Sequence, residues 1–115
     1  MSDFMSKTKR IIVNNTASIM LELDVPTTVS FHIYERNQAT LLDSISYRIE
    51  KVSGRTSSII QAWATLIVDN TDNLYTFDIN ITGVTASDGL SIVFKVTDID
   101  GVEAFREIND IKVLV

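Results

Sequence analysis

The sequence has no cysteine and only one proline, one histidine and one tryptophan among its 115 residues. The lack of cysteine excludes disulfide bonds and thiolate chemistry. No apolar run approaches the ~20 residues that a helix needs to cross a bilayer, so we expect no integral helical membrane protein. The first residues also lack the apolar segment of a secretory signal, and we expect no secretion.

Positive charge is scarce as well. Ten Lys and Arg residues against fifteen Asp and Glu residues give a net charge of -5. Because nucleic-acid binding draws on neutralisation of phosphates by basic side chains, this balance argues against a nucleic-acid partner. Residues 1–10 hold three basic residues and one acidic residue and are the only basic stretch. We expect residues 1–9 to form a flexible arm and residues 10–115 to form a single domain.

Alternation of apolar and polar residues dominates the chain and predicts β-strands. The clearest case is Val29, Phe31 and Ile33, which alternate with polar residues. All four glycines fall between the alternating segments, as expected for short loops. The pattern favours an all-β fold, an antiparallel β-sandwich with Greek-key connections and about seven to eight strands. Strands are predicted at residues 10–13, 19–23, 28–34, 44–50, 58–68, 75–81, 90–96 and 111–115.

The segment Ser58–Val68 fits two patterns. Ile59, Trp63 and Ile67 are spaced like one face of a helix, but the segment also alternates as a strand. Its β-branched residues and its neighbouring strands favour a strand. We therefore expect these three side chains on one face, pointing outward to contact another protein. The alternative is that a loop or the N-terminal arm covers Trp63 within the same molecule.

The opposite face of this segment carries Ala62 and Ala64. Small side chains suit close packing of one sheet on another, so this face is predicted to lie on the core.

The amino-terminal arm is a second candidate contact. Phe4 and Met5 offer apolar anchors, and Lys7, Lys9 and Arg10 offer charge complementary to an acidic surface. We expect the arm to become ordered on a partner. A terminus that is frayed without any function is the alternative.

No arrangement of residues predicts a catalytic centre. Ser30 and His32 lie two positions apart on one predicted strand, ~6.6 Å along its axis, which is too far for a nucleophile and its base. We expect no enzyme and no cofactor. Asp100-Gly101 predicts a two-residue type I′ hairpin turn. A weak calcium site near Asp98 and Asp100 is a further alternative, because carboxylates at strand ends can converge.

Three stretches carry a family resemblance. Residues 26–33, 45–49 and 86–101 resemble strands B, C and F and the F–G hairpin of bacterial and phage immunoglobulin-like domains. The Asp-Gly pair that begins the penultimate strand and the Thr-Asp-Ile-Asp-Gly hairpin are the most specific parts. The chain departs from antibody-type domains because it has no Cys pair and no Trp at the centre of strand C. The resemblance therefore implies an immunoglobulin-like sandwich and no antigen receptor.

The resemblance also implies a function. A small immunoglobulin-like chain that starts with Met and lacks an export signal is similar to tailed-phage virion components, which assemble in the host cytoplasm. We expect a non-enzymatic structural protein that decorates the particle and docks on a repeating surface, such as a capsid or tail protein. An oligomer on the particle is a further expectation. The alternative is a carbohydrate-binding or adhesive module that uses Trp63 and loop tyrosines.

Overall fold

The computed structural model describes residues 11–15, 19–36, 41–82, 84, 88–109 and 111–114. In these ranges the chain forms strands and no helix, which confirms the predicted all-β class. The described residues therefore contain no helix that could cross a membrane. The strands are β1 Ile11–Asn15, β2 Ile19–Glu22, β3 Thr27–Glu35, β4 Leu42–Ser53, β5 Thr56–Leu66, β6 Leu74–Ile79, β7 Gly89–Asp98, β8 Glu103–Ile108 and β9 Ile111–Leu114.

Two antiparallel sheets form the layers of the predicted sandwich. One has the strand order β1-β3-β6, and the other has the order β5-β4-β7-β8. Aromatic side chains from the two sheets meet between them. The ring centroids of Phe31 and Phe94 lie 4.8 Å apart, and those of Tyr47 and Phe77 lie 4.1 Å apart. Because Phe31 and Phe94 are fully buried, these contacts mark the centre of the core.

A third, two-stranded sheet brings β2, near the start of the described chain, together with the last strand, β9. β2 pairs with β9 in parallel, with Ile19 opposite Ile111. β1 instead pairs with β3, so the two N-terminal strands lie in different sheets. The described chain has nine strands, whereas about seven to eight were predicted, because β8 and β9 are two separate strands. The predicted set of eight strands lacks β8, Glu103–Ile108.

The hairpin between β7 and β8 is not the predicted type I′ turn. That turn needs a positive φ at both central residues, but Gly101, at 85°, has one and Asp100 does not. Asp98 N–H donates to the carbonyl of Val102, and Gly101 N–H donates to the carbonyl of Asp98. The loop therefore has three residues. Its shape is stabilised by Asp98 Oδ1, which accepts hydrogen bonds from the N–H groups of Asp100 and Val102 at 2.9 and 3.0 Å.

The two sides of the sandwich differ. On one side, Arg106 Nε of β8 donates a 2.9 Å hydrogen bond to the carbonyl of Ile11 in β1. On the other side, β5 and β6 are the outermost described strands of their sheets. A groove of about 450 Å³ lies there, lined by residues that include Leu66, Ile67 and Leu74. The candidate site lies on the outer face of the four-stranded sheet, next to this open side.

Candidate functional site

The ambiguous segment is a strand, β5, as the sequence favoured. Ile59 and Trp63 retain 58% and 40% of their accessible surface. The prediction that Ala62 faces the core is wrong, because Ala62 is exposed, whereas Ala64 is half-buried and packs against the core. The reason is irregular pairing with β4, whose register shifts twice between Tyr47 and Glu50. Each shift adds a residue to β5 and breaks the simple alternation.

Trp63 lies between two side chains from other strands of the same sheet. The guanidinium carbon of Arg48, in β4, lies 4.6 Å from the centre of the Trp63 ring. The ring of Phe105, in β8, lies 6.4 Å from it at an interplanar angle of 56°. A cation over an indole face and a tilted aromatic pair are both attractive geometries. The indole is therefore held in place by its own sheet although much of it remains exposed.

Glu50 fixes the position of Arg48. Arg48 Nε and Nη2 donate hydrogen bonds of 3.0 and 2.7 Å to the same carboxylate oxygen, Oε2. Both side chains are only partly exposed, at 28% and 18%. Because a charge-assisted hydrogen bond is stronger and more directional than a neutral one, this pair restrains the guanidinium above the ring.

An apolar residue lies beside this cation. Val93 in β7 pairs with Arg48, so both side chains point to the outer face of the sheet. Val93 is nevertheless only 9% exposed, which means that side chains of the outer face cover it. We call Arg48, Trp63, Val93 and Phe105, together with Ile59, the Trp63 patch.

Charged and polar side chains border the Trp63 patch. Lys95 Nζ lies 3.6 Å from Glu103 Oε2, and Ser91 Oγ donates a 3.3 Å hydrogen bond to Glu107. Lys95 pairs with Phe105 and therefore shares its face. The patch thus has an apolar centre and a charged rim.

The other predicted interface residues do not join the patch. Ile67 is 92% exposed and lines the groove beyond the end of β5, beside Leu74. The predicted arm residues Phe4, Met5, Lys7, Lys9 and Arg10 lie outside the described residues. Of the predicted set, Ile59 and Trp63 share the outer face, and their role in an interface stays a prediction.

Sequence reasoning missed Arg48 and Phe105. Arg48 belongs to the polar face of a correctly predicted strand, where a charged residue needs no explanation. Phe105 carried a weak signal, because it is an aromatic residue between Glu103 and Glu107 on the polar face of a strand. That placement predicts an exposed ring, but it does not predict Trp63 as its neighbour.

Tyr75 stabilises the loop next to the groove. Its hydroxyl accepts a 2.9 Å hydrogen bond from Asp69 N–H and donates a 3.2 Å hydrogen bond to the Asp69 carbonyl. Burial raises the pKa of the Tyr75 hydroxyl by more than the hydrogen bond from the Asp69 backbone lowers it, and the Asp69 charge adds a smaller increase. Burial, with a smaller contribution from Asp78, likewise raises the pKa of Tyr47. Both phenols therefore stay protonated and neutral well into the alkaline range.

The remaining candidates for chemistry have structural roles. Ser30 Oγ lies 2.9 Å from the hydroxyl of Thr76, and His32 is exposed. The Asp98 carboxylate is buried within its own hairpin. Among the described residues, no group of three or more His, Cys, Asp or Glu side chains could hold a metal ion.

Comparison with known proteins gives no family. No protein-family model matches the sequence, and no curated protein matches it.

Solved structures share the fold at low sequence identity. A superoxide reductase (neelaredoxin) from Ignicoccus hospitalis is 12% identical, with a TM-score of 0.58 over 92% of this chain and 82% of its own. Spo0M, a sporulation control protein from Bacillus subtilis, is 9% identical, with a TM-score of 0.54 over 93% of this chain. This chain covers about half of Spo0M, 49%. Murine CRIg, an immunoglobulin-like chain, is 8% identical, with a TM-score of 0.50 over 92% of this chain and 99% of its own.

These likenesses correct the prediction that the chain is not an enzyme. That prediction was wrong because it took an immunoglobulin-like sandwich without a catalytic motif as a sign of a non-catalytic protein, whereas a superoxide reductase has the same fold. A fold does not determine chemistry, which depends on the residues of a site. At these identities the comparisons show the fold alone, an immunoglobulin-like all-β sandwich.

Proposed function

We propose that this protein binds another protein through the Trp63 patch. The observation that carries the proposal is the restraint of Trp63 by Arg48 and Phe105 while 40% of its surface stays exposed. Trp and Arg are the side chains most enriched among residues that dominate binding energy. A side chain that is already ordered loses less conformational entropy on binding.

The composition of the patch supports a protein partner. Protein interfaces have an apolar centre from which charged residues are depleted, and a polar rim that stays in contact with water. Trp63, Phe105 and Ile59 supply the apolar centre. Lys95 and Glu103 supply part of the rim. A complementary partner would offer an apolar socket for the two rings, bordered by polar groups.

For the partner we propose a repeating surface of a phage particle, such as its capsid or tail protein. The support is the resemblance of residues 86–101 to bacterial and phage immunoglobulin-like domains. A repeating surface also suits a small patch, because many modest contacts made side by side raise the overall avidity. The basic arm, with Lys7 and Lys9, would add a second contact to an acidic region of the same surface.

Purified virions from the source of this sequence test the proposal. We expect the chain at a fixed ratio to the major capsid or tail protein, measured by quantitative mass spectrometry. Trp63→Ser and Phe105→Ser should each lower that ratio at least about tenfold. A tenfold loss of affinity corresponds to about 1.4 kcal/mol of binding energy. Met20→Ser is the control, because Met20 is 49% exposed but lies on β2, outside the patch. Absence of the chain from particles, or full occupancy by both patch variants, would contradict the proposal.

The exposed indole also favours a second candidate, a carbohydrate-binding or adhesive module. Sugar rings stack on exposed aromatic side chains, and Trp63 and Phe105 are 40% and 52% exposed. Binding of the full chain to a glycan array, lost in Trp63→Ser and kept in Met20→Ser, would support this alternative. The same array without specific signal would leave protein docking as the better proposal.

A further inference from the structure

The exposed edge of β5 has an unusual sequence. Residues 56–68 form the longest run without a charged residue in the chain, and the run contains neither proline nor glycine. Among the described strands, β5 has a neighbour on one side only. Edge strands usually carry lysine, proline or a short length that prevents pairing with another chain. β5 has eleven residues and contains no charged residue and no proline. Its irregular pairing with β4, which could also hinder pairing with another chain, is confined to the part between Ile59 and Ala64.

We infer that β5 pairs with β5 of a second copy in antiparallel orientation, so that two four-stranded sheets become one continuous sheet. Such a pair is two-fold symmetric, and each copy contributes the same surface. This inference does not rest on the proposed function, because the backbone edge of β5 makes the pairing. It shares Ile59 and Trp63 with the Trp63 patch.

The regular parts of β5 fit a two-fold axis at Gln61. Pairing with β4 is regular over Thr56–Ile59 and over Ala64–Leu66, and it is irregular between them. An axis at Gln61 sets Thr56, Ser57 and Ser58 opposite Leu66, Thr65 and Ala64 of the second copy. The regular backbone at each end of β5 thus meets regular backbone, and the irregular part lies at the axis.

Side chains on the outer face also fit this register. It sets Ile59 of each copy opposite Trp63 of the other, and both are exposed on that face. A β-branched residue opposite an aromatic residue is a favourable cross-strand pair.

The charges that flank β5 favour the antiparallel orientation. Arg55 precedes the strand and Asp69 follows its end, and both are exposed. In the proposed register, Arg55 lies opposite Ile67, two positions from Asp69 of the second copy. The basic end of each strand therefore meets the acidic end of the other. Parallel pairing would bring like charges together, in a chain whose net charge of -5 already opposes self-association.

Charge at the axis tests the inference. We expect the full-length protein to dimerise in sedimentation equilibrium at concentrations up to about 1 mM. Gln61→Lys and Gln61→Glu should each weaken the dimer at least about tenfold, because they place like charges opposite one another. An equimolar mixture of the two variants should dimerise again, which misfolding of either variant would not allow. A wild-type chain that stays monomeric, or a mixture that does not dimerise, would overturn the inference.

Cross-linking tests the register. Because the chain has no cysteine, introduced cysteines are the only thiols. A mixture of Ser57→Cys and Thr65→Cys should form a disulfide-linked dimer faster than either variant alone, because only the mixture sets two cysteines directly opposite. Equal rates would overturn the proposed register. Gln61→Lys separates the two proposals, because Gln61 lies on the edge strand and outside the Trp63 patch. It should weaken the dimer and leave docking unchanged.

Discussion

The side-chain amide of Asn70 forms two hydrogen bonds with the backbone of Leu42. Its Oδ1 accepts from Leu42 N–H at 2.9 Å, and its Nδ2 donates to the Leu42 carbonyl at 3.1 Å. The amide thus makes the hydrogen bonds that the backbone of a neighbouring strand would make at the start of β4. It also connects the loop after β5 to the core, where Leu42 is buried.

We expect Asn70→Ala to lower the free energy of unfolding by about 1–3 kcal/mol, because two partly buried backbone groups lose their partner. Urea denaturation followed by circular dichroism would measure this loss. Asn80→Ala is the matched control, since Asn80 is exposed just after β6. Equal stability of the two variants would show that the Asn70 contacts contribute nothing.

Arg48 should determine how accessible Trp63 is to solvent. Trp63 is the only tryptophan, so fluorescence reports on it alone. We expect Arg48→Ala to increase acrylamide quenching and to lower stability by about 1–3 kcal/mol, because Trp63 loses its cation–π contact and Glu50 loses its hydrogen-bond donor. Arg55→Ala, in the exposed turn before β5, is the control. Quenching that is the same in both variants would argue against the stacked arrangement.

Alkaline pH should destabilise the protein through Tyr47 and Tyr75. Their pKa values are raised above 10.0 in the folded protein, so above that pH the unfolded chain releases protons that the folded chain retains. Their contribution to stability is fully present below about pH 10 and is lost as the pH rises through the folded-state pKa values. Urea midpoints measured from neutral pH to about pH 11.5 should fall at the alkaline end.

Tyr47→Phe provides the check, because it keeps the ring that stacks on Phe77 and removes the ionisable hydroxyl. Its stability should fall less steeply at high pH than that of the wild type. If the two curves are parallel, Tyr47 does not contribute to the alkaline transition.

Gly101 should resist substitution for a reason of backbone conformation alone. Its φ is 85°, and a β-carbon added there would meet no atom within 4 Å. We expect Gly101→Ala to cost about 1–2 kcal/mol in thermal unfolding, since side chains disfavour this conformation. Gly89→Ala is the control, because its β-carbon would make ordinary contacts with Val52 at 3.8 Å. A larger loss at Gly89 than at Gly101 would contradict this explanation.

The sequence predicted the strands that bury one face. Val29, Phe31 and Ile33 are all buried in β3, because a strand with one side on a core must alternate. The same reasoning gave the wrong side for Ala62. A register shift depends on the partner strand as well as on the strand itself, so local alternation cannot predict it.

The candidate site was only partly predictable for a related reason. Trp63 could be identified from its spacing with Ile59. Its contact with Phe105 required the order of four strands, which connects residues far apart in the chain. The type I′ prediction failed because Asp98 binds two backbone N–H groups of the loop, an interaction that the Asp-Gly pair alone does not reveal.

The parallel pairing of β2 with β9 has a consequence for the order of folding. Ile19 must meet Ile111, so this pair closes a loop that spans most of the chain, and long loops carry the largest entropic cost of closure. During synthesis, the hairpin of β4 and β5 has all of its residues available early, whereas β2 must wait until β9 has left the ribosome. The apolar side chains of β2, such as Leu21, would stay uncovered for that interval and would then be most exposed to aggregation.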